Sequence, residues 1–249
     1  MSPVHSVLMV SAYRFVTLDD CAALRERLFA SAQAAGLKGT VLIAPEGINL
    51  SLAGEPKAVR GWLDGLGADP RFAALTLQQH GADQVPFKRL RVRLKREIIR
   101  MNEDGIRPAA GRAPSVDAAT LARWLAMGRC DQGRPLLMLD TRNGFEVDAG
   151  AFEGAADWRL RKFSDFPAAL QAHREELQGK TVVSYCTGGI RCEKAALWLH
   201  QAGVPHVMQL DGGILRYFEV VPDAPSWRGR CFVFDERVAL DTELEGQPA

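Results

Sequence analysis

No stretch of this 249-residue chain approaches the roughly 18 uninterrupted apolar residues that a membrane helix needs, so a helical span is excluded as its mode of work. The opening residues, Met1 to Val10, hold a short apolar run without a basic lead or a clear small-residue cleavage site. No signal peptide is read there, and a cytoplasmic location is expected. Cysteine is scarce: Cys21, Cys130, Cys186, Cys192 and Cys231 are too few and too scattered for a disulfide framework, and reduced thiols are expected. Net charge is nearly absent as well, at +1, so any attraction for a charged partner must come from local distribution. Internal repeats and low-complexity tracts are lacking. The histidines, His5, His80, His173, His200 and His206, sit in separate segments and are read as structural. There is no histidine pair with a carboxylate at metal-ligand spacing and no Gly-x-Gly-x-x-Gly fingerprint, so no metal is assigned and no cofactor is evident.

What is present is ordinary globular material, 47% apolar and 24% charged, in a length that favours two modest domains. The first hundred residues read as short strands alternating with helices. Val7–Val10 is a strand, and Leu18–Ala35 a helix with Thr17 as N-cap. Thr40–Ala44 and Asn49–Ala53 are strands joined too closely across Pro45-Glu46-Gly47 to hold a helix, which makes a hairpin. Pro56–Leu66 is a second helix and Ala74–Gln78 a fourth strand. The order βαββαβ is that of a ferredoxin-like domain.

From Pro86 to Arg100 the chain alternates apolar and basic residues. Leu90, Val92 and Leu94 point one way, and Arg89, Arg91, Arg93 and Lys95 the other. Cations every second residue lie almost 7 Å apart at about 3.3 Å rise per residue, close to the repeat of a nucleic-acid backbone. Two readings apply: a charged edge strand that discourages aggregation, and an RNA or other polyanion surface. The second is favoured, because seven basic residues between Lys88 and Arg100 face a single acid, Glu97. No aromatic residues interleave there.

Periodicity then lapses over a Gly- and Pro-rich stretch read as a linker, 105–116. Ala118–Met127 follows as a helix capped by Ser115 or Asp117, then a buried strand Leu136–Leu139 ending in the polar run Asp140-Thr141-Arg142-Asn143. Phe166–Leu177 is a helix, Thr181–Tyr185 a strand, Cys192–Gln201 a helix, His206–Gln209 a strand and Ile214–Val220 a short helix. Such alternation implies a mostly parallel sheet with helices on both faces, a doubly wound α/β domain. Its centre is Cys186-Thr187-Gly188-Gly189-Ile190-Arg191-Cys192, which sets a cysteine between an apolar strand and a helix. Backbone N–H groups and the helix dipole favour the thiolate at such a turn.

Asp140-Thr141-Arg142, Glu146, the small-residue segment Gly150 to Ala155 and the six-residue loop Cys186 to Arg191 resemble a rhodanese-like domain. The related phosphatases have five residues between Cys and Arg, where this chain has four. In rhodaneses the loop curls around the sulfur, so the resemblance makes Thr187, Gly188, Gly189 and Ile190 an anion cradle. Where many rhodaneses carry Gly-His, this chain has Gly150-Ala151. Read with Glu46-Gly47-Ile48-Asn49 and Cys231-Phe232-Val233-Phe234-Asp235-Glu236-Arg237-Val238, the motifs are similar to those of the oxygen-dependent tRNA uridine hydroxylases, from about Tyr13 to Val238. That family joins a ferredoxin-like to a rhodanese-like domain and converts wobble uridine 34 of certain tRNAs to 5-hydroxyuridine.

The resemblance implies an oxidoreductase with tRNA as partner, molecular oxygen as co-substrate and Cys186 as the essential cysteine. Arg191 stands at the loop's end beside it, with Asp140 and Arg142 in support, and Arg89, Arg91, Arg93 and Lys95 as the tRNA-binding face. The expected boundaries are 1–104 for the ferredoxin-like (acylphosphatase-like) domain, 105–116 for the linker, 117–224 for the catalytic domain, and 225–249 for a C-terminal tail packed across the domains. Cys192 is either a resolving second thiol or a small residue of the helix's first turn. Glu46 to Asn49 is either a plain hairpin turn or a substrate contact. Cys21 and Cys130 are read as core, and Cys231 has no assigned role. Two other functions use the same loop: a sulfurtransferase carrying a Cys186 persulfide, and a non-catalytic RNA-binding redox sensor.

Overall fold

A computed structural model describes residues 6–246; His5 lies outside them. The chain divides into two compact units, Met1–Ile99 and Arg100–Ala249. In the first, strands β1 (Val7–Phe15), β2 (Lys38–Ala44), β3 (Gly47–Gly54), β4 (Thr76–Ala82) and β5 (Leu90–Leu94) form one sheet in the order β4-β1-β3-β2-β5. Helices α1 (Cys21–Ala34) and α2 (Pro56–Gly67) supply Leu24, Leu28, Val59 and Trp62 to the core under Leu8, Val10, Ala12, Val41, Ile43, Ile48, Leu50 and Leu52. Alternation along three strands thus gives one helix-covered face, and the ferredoxin-like order follows.

Helix α1 starts at Cys21, later than the expected Leu18, and Thr17 does not cap it. Leu18 is buried with its N–H on the Pro45 carbonyl, and Asp20, which occupies the N-cap position, makes no side-chain cap: its carboxylate accepts from Arg71. The hairpin turns at Gly47, whose φ is +148° and where a Cβ would meet the Arg14 carbonyl oxygen at 2.1 Å. Only glycine fits that approach. The Glu46 and Asn49 side chains clasp the backbone of one residue: Ile98 N–H donates to Glu46 Oε1 (2.7 Å), and Asn49 Nδ2 to the Ile98 carbonyl (3.3 Å).

Strand β5 is the sheet edge, parallel to β2. Of its three apolar residues only Val92 is buried; Leu94, expected beside it, is 49% exposed. Helix α1 packs on β5, where Arg25 Nε reaches the Val92 carbonyl (3.4 Å), and an edge strand has no second neighbour to cover its end.

In the second unit, β6 (Ser115–Val116), β7 (Leu136–Asp140), β9 (Ala156–Asp157), β10 (Thr181–Tyr185) and β11 (Val207–Leu210) form a parallel sheet ordered β6-β11-β10-β7-β9. The short β8 (Gly150–Phe152) stands apart from it. Helix α3 (Ala118–Met127) packs with α7 (Gly213–Val220), and α5 (Phe166–His173) with α6 (Ile190–Gln201), while α4 (Gly144–Ala149) follows β7. Asp117 caps α3 through the Thr120 N–H (2.8 Å).

The segment read as a linker is built into this unit. Ser115–Val116 pairs with β11, the Ala113 carbonyl accepts from Gln209, and Arg112 grips Glu193 of α6. The tail is likewise part of the core: β12 (Trp227–Gly229) pairs with β8, and β13 (Cys231–Phe232) with β14 (Ala239–Leu240). Trp227, Cys231, Val233 and Leu240 join the cluster of Tyr185 and Tyr217, because each apolar side chain is covered only there. Among the described residues no helix is long and apolar enough to cross a membrane.

Candidate active site

Strand β10 is buried throughout and delivers Cys186 at its carboxyl end. Gly189, at φ +93°, then turns the chain so that α6 begins at Ile190, two residues earlier than expected. Ile190 and Arg191 are therefore the first turn of the helix, and the free loop is only Cys186 to Gly189. The Gly189 N–H donates to Cys186 Sγ at 3.2 Å. A helix N-terminus at this point adds positive potential to that donor.

The loop is braced from below by α7, whose Ile214 and Leu215 N–H groups donate to the carbonyls of Cys186 and Thr187 (3.0 and 3.1 Å). In a trans peptide the N–H opposes the C=O, so the Thr187 and Gly188 N–H groups face away from α7. This bracing needs Gly213 at φ +67°, where a Cβ would lie 2.4 Å from the Cys186 carbonyl oxygen and 2.7 Å from the Gly189 nitrogen.

Arg191 is buried and forks onto Glu146, Nη1 to Oε2 at 2.6 Å and Nη2 to Oε1 at 2.8 Å. Its positive charge also acts on Cys186. Burial works against the Arg191 charge, and the Glu146 carboxylate outweighs it. At Cys186 burial likewise opposes the thiolate. The Cys192 thiol, the Arg191 charge and the Arg191 and Cys192 N–H groups overcome that penalty and bring Cys186 down to about 6. Cys192 moves the other way: burial and the neighbouring Cys186 sulfur hold it well above the ordinary thiol range. Its Sγ lies 3.8 Å from Thr141 Oγ1, and that hydroxyl donates to the Tyr185 carbonyl at 2.8 Å. The two thiols therefore shift in opposite directions, Cys186 toward the thiolate and Cys192 toward the thiol.

Asp140 and Arg142 form a separate clamp. Arg142 grips Asp140 with Nε at 2.9 Å and Nη2 at 2.6 Å and donates to the Gly150 carbonyl at 2.7 Å. Its guanidinium lies 5.6 Å from the Tyr185 ring centroid and 5.4 Å from that of Trp227. This pair ties the ends of β7 and β10 to β8 and β12 and touches no cysteine of the loop. Cys130 and Cys231 are core, Cys231 with its thiol pushed up to about 12 by burial, and Cys21 is half-buried against the first unit's core. His80 is buried, and His173 stacks on Trp158 and pairs with Glu176.

Arg89, Arg91, Arg93 and Lys95 belong to the first unit, are exposed, and form no ion pair among the described residues. The sheet register puts Arg91 in one row with Thr40, Ser51, Ser11 and Gln78, and Arg93 in the next with Leu42, Asn49, Tyr13 and Thr76. Both rows lie on the face away from α1 and α2. The arginines therefore end a largely polar sheet face, which reading β5 alone does not disclose.

Glu146, Thr141 and Gly213 complete the site beyond the residues singled out by their chemistry. Asn143-x-x-Glu146 carries the pattern of a capping box, and Glu146 Oε2 does accept from the Asn143 N–H at 3.0 Å. Its second duty, on Arg191, lies 45 positions away and left no local signal.

Fold and site define a class: a ferredoxin-like unit followed by a rhodanese-like unit with a cysteine-led loop. Residues 7–98 match the UPF0176 acylphosphatase-like domain and residues 118–219 the rhodanese-like domain. A Bordetella avium protein named tRNA uridine(34) hydroxylase is 59% identical over 240 residues, covering 96% of this chain and 99% of that protein. A Variovorax paradoxus protein of the same name is 56% identical over 246 residues, covering 99% and 93%. The rhodanese-like domain of an Anabaena protein aligns with a TM-score of 0.38 at 21% identity, over 47% of this chain and 80% of that one. The chain belongs to the tRNA uridine(34) hydroxylase family.

Glu146→Ala leaves the Arg191 charge buried and half unpaired, and is expected to lower unfolding free energy by about 3–5 kcal/mol, read from denaturant midpoints.

Proposed function

We propose that this chain hydroxylates C5 of uridine 34 in tRNA, with oxygen as co-substrate and Cys186 as the nucleophile, to give 5-hydroxyuridine. The observation that carries the reading is the Cys186 sulfur, which accepts from the Gly189 N–H and stands beside the Arg191 charge, both of which favour the thiolate. Near-complete alignment with proteins named for that reaction supports it. A tRNA substrate fits a cytoplasmic location. The bare loop would equally serve sulfur transfer, and it is the relatives that favour hydroxylation.

Thiolate attack on C6 saturates the C5–C6 double bond and leaves C5 as an enolate-type carbon able to meet oxygen. Arg191 and the α6 N-terminus supply the positive potential in which that negative charge develops. Cys186 is fully covered, so uracil reaches it only when the side chains over the loop move aside. Oxygen inserted at C5–H takes two electrons from carbon, and the second oxygen atom needs two more to become water. Cys186 and Cys192 supply them. Loss of the C5 proton and departure of the Cys186 thiolate from C6 restore the C5–C6 double bond and leave a hydroperoxide on C5. The thiolate then takes the outer oxygen as the O–O bond breaks, leaving an oxide on C5 that picks up a proton from solvent, and the Cys192 thiol displaces water from the resulting Cys186 sulfenic acid to close one S–S bond. A small-molecule or protein dithiol then restores the pair. The opposite shifts of the two thiols, Cys186 lowered and Cys192 raised, support this role for Cys192.

Nucleoside mass spectrometry of tRNA treated with reduced enzyme and oxygen tests the reading. Wild type without added thiol is expected to form at most one 5-hydroxyuridine per chain and to lose two free thiols. Cys186→Ala is expected to form none, and persistence of product would remove Cys186 from the mechanism. Cys192→Ser matching wild type in product without added thiol would remove the second thiol.

Arg89, Arg91, Arg93 and Lys95 are the proposed tRNA contacts. Arg91→Glu with Arg93→Glu is expected to weaken tRNA binding and to shallow the salt dependence of log K by about 0.7–0.9 per lost phosphate contact. An unchanged slope would return β5 to the role of a charged edge strand.

A further inference from the structure

The motif from Cys231 to Val238 has no part in the chemistry above, yet it raises a phenylalanine into solvent beside the cysteine loop. Phe234 is 66% exposed and Phe145 is 50% exposed, with the half-buried Phe232 between them. The three rings meet edge to face, with centroids 5.1 Å apart for Phe145 and Phe232, 5.2 Å for Phe232 and Phe234, and 6.4 Å for Phe145 and Phe234. Exposed rings of this kind are costly unless something covers them.

The cluster is continuous with the loop. Thr187, the residue after Cys186, donates its hydroxyl to the Phe232 carbonyl (3.4 Å), and Phe145 precedes Glu146, the partner of Arg191. It is also rigidly presented. Cys231, Val233 and Leu240 anchor β13 and β14 in the core, and the Val233 N–H bonds to the Val238 carbonyl at 2.8 Å. At the tip, Asp235 accepts from the Arg237 backbone (3.0 Å) and from its guanidinium (2.8 and 2.7 Å), which fixes the turn that carries Phe234.

We propose that Phe145, Phe232 and Phe234 form a stacking platform for the nucleobases that flank the target uridine. The proposal rests on the substrate reading above. A buried nucleophile that must reach C6 requires the uridine to leave its stack, and that exposes one face of each neighbouring base. Single-stranded loops are recognised by stacking such faces on aromatic rings, with little regard to base identity. The platform replaces the stacking that extrusion removes and holds the loop over Cys186.

The test is equilibrium binding of the full chain to an anticodon stem-loop RNA carrying uridine 34, by fluorescence anisotropy, alongside kcat and KM. Phe145→Ala and Phe234→Ala are each expected to weaken binding by about 5-fold or more, the effect of losing one base stack. Phe234→Leu is expected to weaken it similarly, while Phe234→Tyr restores it, since leucine keeps the apolar contact and tyrosine keeps the ring. In wild type, abasic sites flanking uridine 34 are expected to cost the same factor and to add nothing in the alanine variants. Alanine or leucine variants that bind as tightly as wild type overturn the platform alone. A wild type that binds no better to this stem-loop than to an unrelated hairpin overturns the substrate reading and the platform with it.

Discussion

The cysteine loop depends on one buried ion pair, Arg191 with Glu146. Both groups are out of water, where an unpaired charge is untenable, and the fork of two short bonds is what lets the guanidinium stay there. The Cys186 thiolate then asks the same cation to serve a second anion. One positive and two negative charges in a dry site leave an excess of one negative charge. The excess is met by dipoles: the Gly189 N–H, the first turn of α6, which carries about half a positive charge, and the Cys192 thiol. Those donors explain the glycines. Gly189 turns the helix start toward the sulfur, and Gly213 lets α7 take up the Cys186 and Thr187 carbonyls, which frees the opposite edges of those peptides.

The fold delivers these groups through the geometry of a parallel sheet. Tyr185 lies opposite Asp140 in adjacent parallel strands, so both chains end on the same edge, where open α/β sheets form their sites. The residue after one strand is Cys186, the proposed nucleophile. The run after the other supplies Thr141 beneath Cys192, the Arg142 clamp, and Glu146 on α4. The tail closes the same edge, with Trp227 against Arg142 and the β13–β14 hairpin beside Thr187. A chain cut before Trp227 would lose core as well as surface.

Much of this was legible in the order of residues. The βαββαβ pattern, the strand and helix around Cys186 and the alternation in β5 are local periodicities, and local signals survive into the fold. What was not legible is long-range. Glu46 and Asn49 looked like either turn or substrate residues until Ile98 was seen between them. The stretch around Gly111 and Pro114 reads as a linker by composition, yet two residues of strand pairing and the Arg112–Glu193 bridge bind it to the sheet. Leu94 kept its alternation but lost its cover at a sheet edge. Phe145 and Phe234, 89 positions apart in the numbering, have no sequence signature as a pair.

The central claim is that a fully buried Cys186 is ionised at neutral pH because Arg191, itself held by Glu146, stands beside it. It is tested most directly by titrating thiolate absorbance in the far ultraviolet, as the difference between wild type and Cys186→Ser. The account predicts that the Cys186 signal is lost as pH falls through about 6 and is complete well below the ordinary thiol value of about 8.5. A midpoint at or above that ordinary value would contradict it.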